Sequence, residues 1–190
     1  MERVEHARRL IGSEIDRVRY INIDYERDQR AAGLIGPRVI VDDDEWSEPT
    51  WQFPDCDSID FGLELETRDG RLFSVTWDPP GLREGIGLRE EPLLGTGVRV
   101  DGATAIWDVT NTSGWVHLLG RATSDVVLHY LPWGDPGGFW CPRITLRFPG
   151  ATVELLLGEG GSNRKLGPSA DNVAVLFDPE RLPDWEQAKD

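Results

Sequence analysis

The strongest constraint on this chain is an alternating apolar and polar pattern that occurs twice, in the same order, along its length. Leu10-Ile11-Gly12 leads, six residues after its glycine, to Val18 in an extended run ending at Tyr25. Leu118-Leu119-Gly120 leads at the same interval to Val126, in a run reaching Trp133, so the displacement is 108 residues. Recurrence of several features in one order is the signature of an internal repeat.

After a long loop, the first run is followed by Leu63 and Leu65 alternating with Glu64 and Glu66, the period of a half-buried strand. Arg68-Asp69-Gly70-Arg71 supplies a turn and Leu72 to Trp77 returns, which predicts a hairpin. The second run is followed by Ile144, Leu146 and Phe148, a Pro149-Gly150 turn, and Val153 and Leu155, with Leu63 and Ile144 displaced by 81. A last strand is expected around Ile86 to Arg89 in the first copy and Asn172 to Phe177 in the second.

Each copy is expected to open with a helix. Val4, Ala7, Leu10 and Ile11 fall at helical spacing before Gly12, a residue suited to a left-handed terminating position. Thr112 or Ser113 is placed to cap a second helix ending at Gly120. Between the copies, Val98 to Val100 and Ala103 to Val109 flank Asp101-Gly102, which predicts an extra hairpin. The expected fold class is α+β and strand-dominated: an antiparallel sheet, barrel-like or sandwiched, of about ten strands with two or three short helices. It reads as one domain over residues 1–190, with repeats at 1–92 and 112–178, the inserted hairpin at 96–110, and a short helical tail at 179–190.

Charge narrows the partners. With 34 acidic against 20 basic residues the net charge is −14, so the field of the protein repels phosphate backbones and anionic lipid surfaces. Nucleic acid and membrane are therefore not expected as partners. The first residues, Met1 to Arg9, are charged and lack the apolar core of a secretion signal. Cys56 and Cys141 form no disulfide framework, and a reducing, cytoplasmic setting is expected.

Between Arg38 and Arg68 the chain has ten acids and no Lys or Arg, with Trp46, Trp51, Phe53 and Phe61 interleaved. Like charges this close repel unless a cation neutralises them. The corresponding loop of the second copy, from Pro132 to Cys141, carries Trp133, Phe139 and Trp140. Asp42, Asp43, Asp44, Glu45, Trp46, Glu48, Trp51, Trp133 and Trp140 are accordingly candidate partner-binding residues, with aromatic anchors for contact area and acids to orient a basic protein. The plainer reading places the aromatics in the core and the acids on a solvated loop.

Catalytic and metal patterns are weak. Asp42-Asp43-Asp44-Glu45 is contiguous and lacks the alternation and glycine of a calcium loop, while His6, His117 and His129 share no zinc spacing. No G-x-S-x-G elbow occurs, and Gly158 to Asn163 lacks the ending of a phosphate loop. No cofactor is expected. The sequence points to a non-catalytic binding protein, of the inhibitor or immunity type, that engages a basic partner. The alternative is a small-molecule or carbohydrate hydrolase using Glu64 and Glu66 with Asp57 or Asp60 in a Trp-lined pocket. A self-associating structural subunit is a third possibility.

Overall fold

The computed structural model describes residues 2–26, 36–78, 83–94, 103–132, 137–161 and 165–184. In chain order these form α1 (Glu2–Leu10), β1 (Ile15–Ile23), β2 (Arg38–Val39), α2 (Asp43–Ser47), β3 (Asp57–Ile59), β4 (Gly62–Thr67) and β5 (Leu72–Asp78). There follow β6 (Arg83–Arg89), β7 (Thr104–Asp108), β8 (Asp125–Pro132), β9 (Phe139–Phe148), β10 (Ala151–Gly160) and β11 (Leu166–Leu176), then a 3₁₀ turn at Pro179–Arg181. All eleven strands belong to one curled, mostly antiparallel sheet, a half-barrel, in the order β2-β7-β1-β4-β5-β6-β9-β10-β11-β3, with β8 paired to the other side of β9.

Two sequential meanders make up most of it. β1, β4, β5 and β6 pair antiparallel one after another, and so do β8, β9, β10 and β11. The expected hairpins form where local chemistry specifies them. Gly70 (φ 83°) turns the first, with Thr67 and Arg71 bonded across it. Pro149 and Gly150 (φ 75°) turn the second between paired Phe148 and Ala151, the residues a type II turn prefers.

The meanders meet at a short parallel contact between β6 and β9, where Gly85 pairs with Cys141. Gly85 has φ 104°, and a Cβ there would lie 2.2 Å from the Cys141 carbonyl oxygen, so backbone approaches backbone in a way only glycine permits. One contiguous core runs through both meanders, with Tyr20, Leu63, Val75, Leu88, Ile144, Leu155 and Val175 all fully buried. α1 covers the ends of β6 and β8, burying Ala7 and Leu10 while Val4 and Ile11 stay exposed at its margins.

Three expectations differ from the structure. Residues 110–120 form successive turns instead of a second helix. The Thr112 hydroxyl donates backward to the Val109 carbonyl, 2.8 Å away, so it caps nothing, and Trp115 is drawn into the core beneath Phe177. The acidic run 42–45 is not loop: Asp42 caps α2 by accepting from the Asp44 amide at 2.8 Å, and Asp43, Asp44 and Glu45 occupy the first turn, where the helix dipole favours negative charge. The outer face of β4 is covered at Glu64, because Leu93 is fully buried and its amide donates to Glu64 at 2.8 Å, while Glu66 stays partly exposed. Of the extra hairpin, β7 is present between β1 and β2, whereas residues 95–102, with its turn, lie outside the described residues.

Candidate functional site

The acidic segment divides into an outer face and an inner end. At the outer face, Asp42, Asp43, Asp44 and Glu48 are exposed, and no cation of the described residues pairs with them. Glu45 is half-buried and ion-paired to Arg38, which also holds Asp24 at 2.9 Å. Burial alone lowers the pKa of the Arg38 guanidinium, but Glu45 and Asp24 together raise it above its ordinary value. This cluster fastens α2 to the end of β1.

Trp46 turns inward from α2 and meets the Trp107 ring edge-on at 5.1 Å, so the helix is seated by an aromatic while its acids face out. Val39 and Val41 beside it are 55% and 80% exposed. Together with Glu26, Asp42, Asp44 and the Arg38–Glu45 pair they line an open groove of about 550 Å³. The outer face thus combines bare carboxylates with bare aliphatic surface.

The remaining candidates lie elsewhere. Trp51 is only 2% exposed and belongs to the core beneath Trp46, so it supports α2 without presenting a surface. Trp140 is half-buried on β9, four strands beyond β1 in the sheet order, and is not brought to α2. Trp133 lies outside the described residues. Glu64 is held by Arg19 at 3.1 Å and by the Leu93 amide, and among the described residues it shares no hydrogen-bond partner with Asp57 or Asp60.

At the inner end, residues 51–57, the turn around Gly114 and Phe177 surround a cavity of about 310 Å³. The Trp115 indole Nε1 donates to the Tyr20 hydroxyl at 2.7 Å, and that hydroxyl donates to Asp57 Oδ2 at 2.7 Å. Burial pushes the Asp57 carboxyl up to about 6, against the opposing pull of the Tyr20 hydrogen bond. Burial likewise raises the Tyr20 phenol well above its usual range and the Cys56 thiol to about 12. Sequence reasoning missed this chain of hydrogen bonds, because Tyr20 and Trp115 are ninety-five residues apart.

A second polar network was also missed. Arg143 and His129, paired across β9 and β8, are bonded at Nδ1 over 3.1 Å. His129 Nε2 meets the Thr145 hydroxyl at 2.8 Å, which donates to Glu154 at 2.7 Å. Its only sequence signal is the polar set alternating with Ile144, Leu146, Val153 and Leu155.

Among the described residues, no three His, Cys, Asp or Glu side chains are grouped to share a metal ion, and no helix is long and apolar enough to cross a membrane. No known protein family, curated protein or solved structure matches the chain.

Proposed function

We propose that this is a non-catalytic binding protein that docks a basic protein partner on the outer face of α2. One observation carries the reading: Asp42, Asp43, Asp44 and Glu48 stand exposed without a cation among the described residues, alongside exposed Val39 and Val41 at a groove. Uncompensated like charge destabilises a fold, and bare aliphatic area beside it gives a partner something to desolvate. The acids steer and orient the partner, and the valines supply burial.

The test is to titrate purified basic proteins, with acidic proteins as controls, against salt. Binding to a basic partner is expected to weaken steeply with ionic strength and to fall at least ten-fold in D42N/D43N/D44N. Indifference to both sinks the reading. A hydrolase is less well supported: Asp57 sits in a cavity with a raised pKa, but its neighbours Asp55 and Asp178 are both engaged by Arg181 and Glu64 by Arg19.

We also infer that the two meanders are copies of one unit. Val18 pairs with Leu65 and Val126 with Leu146; Tyr20 pairs with Leu63 and Leu128 with Ile144. The displacements of 108 and 81 thus recur in the ladders. The Gly12 amide bonds the Thr123 carbonyl and the Gly120 amide bonds that of Ile15, around a bridge between Glu14 and Ala122. A shift of 108 carries this set onto itself, as a twofold relation requires. The cytoplasm is proposed as the compartment, supported by two free, buried cysteines.

A further inference from the structure

The cavity at the inner end of the acidic segment lies apart from the α2 face and has its own electrostatic imbalance. Its lining carries three carboxylates, Asp55, Asp57 and Asp178, and one cation, Arg181. Arg181 is already committed: its NH1 donates to the Pro54 carbonyl at 2.8 Å and to Asp55 at 2.9 Å, and its Nε lies 3.4 Å from Asp178. Asp57 is left without a cation among the described residues. Its Oδ2 accepts from Tyr20, and Oδ1 accepts no hydrogen bond from them.

A carboxylate in such a place is costly unless something pairs with it. Residues displaced by 108 from Tyr20 and Trp115 are Leu128 and Ala7, so the positions related to this pair carry neither the hydroxyl nor the indole N–H. Phe53 and Phe177, both partly exposed, provide aromatic surface in the lining, of the kind that attracts cations. At about 310 Å³ the space falls at the small end of the roughly 300–1,000 Å³ of ligand sites.

We infer that this cavity is a binding site for a small organic cation, whose ammonium or guanidinium group pairs with the Asp57 carboxylate beside that aromatic surface. The site commits to a free small molecule, because its volume of about 310 Å³ suits one and Asp57 is the one lining carboxylate without a cation among the described residues. Binding strengthens as pH rises through about 6, the point at which Asp57 ionises. Of the other groups facing it, Tyr20 and Cys56 stay neutral there, since burial raises both, while Asp55 and Asp178 are paired with Arg181.

Butylamine and agmatine serve as probes, with butanol and butyrate as controls, followed by calorimetry and by the Asp57 carboxyl resonance. The cations are expected to bind at least ten-fold more tightly than the controls at pH 8, and to lower the Asp57 titration midpoint by a unit or more. D57N keeps an acceptor for Tyr20, so it folds, and it is expected to lose at least ten-fold in amine affinity. D42N/D43N/D44N is expected to leave amine binding unchanged, which separates this site from the α2 face. Equal binding of butanol, amine binding indifferent to D57N, or an unmoved Asp57 titration overturns the proposal. So does tighter binding of a lysine within a glycine peptide than of free butylamine, which would reassign the socket to a partner's side chain.

Discussion

At the scale of residues, Asp57 is where fold and function pull apart. Its carboxyl titrates at about 6 in the folded protein, above the ordinary value for Asp, so the fold favours the neutral form. The stability this contributes is complete below pH 4 or so and is lost as pH rises through about 6. Asn stays neutral throughout. Asp57→Asn is therefore expected to stabilise the protein by about 1–3 kcal/mol at pH 8, with the gap closing by pH 4, as read from urea unfolding at the two pH values. Tyr20→Phe removes the acceptor of Trp115 Nε1 and the donor to Asp57. It should cost about 1–3 kcal/mol and raise the Asp57 titration further, which carboxyl NMR would detect. None of this was legible in sequence, where Tyr20 and Trp115 stand 95 residues apart. A buried polar chain is recognisable only once distant residues meet.

Among the elements, those set by neighbouring residues were legible and those set by distant ones were not. The β4–β5 and β9–β10 hairpins follow from alternation plus a turn glycine, information held within about twenty residues. α2 follows from Asp42 as a cap, a signal present in the sequence but masked by the run of acids. Asp42→Ala is expected to speed amide exchange over Asp43–Ser47, with a local loss of about 1 kcal/mol and little change in global unfolding. The turns at 110–120 and the three residues of β3 have no local signal, since β3 exists only because β11 offers it an edge. Gly85 belongs to the same class. Gly85→Ala places a Cβ against the Cys141 carbonyl and is expected to destabilise the β6–β9 junction by about 2–4 kcal/mol, measurable as a lowered midpoint in urea.

The whole molecule is interlocked. β7 of the later half of the chain lies between β1 and β2 of the earlier half, β3 completes the edge beyond β11, and Gly120 and Gly12 bond reciprocally across the two. Separate pieces ending at Leu94 and beginning at Ala103 are expected to remain unfolded alone and to regain native circular dichroism when mixed, eluting together on gel filtration. A half that folds by itself would contradict the interlock. The sequence by itself determined the strand-dominated class, the two hairpins, the left-handed glycine at 12 and the acidic bias, because each is written in short-range periodicity, turn chemistry or charge count. Only the tertiary structure decided which tryptophans are surface and which are core, how Glu64 came to be covered, and that Asp57 sits at a cavity without a cation among the described residues. Burial and charge pairing are properties of residues brought together from far apart, and the chain order of those residues carries no record of the meeting.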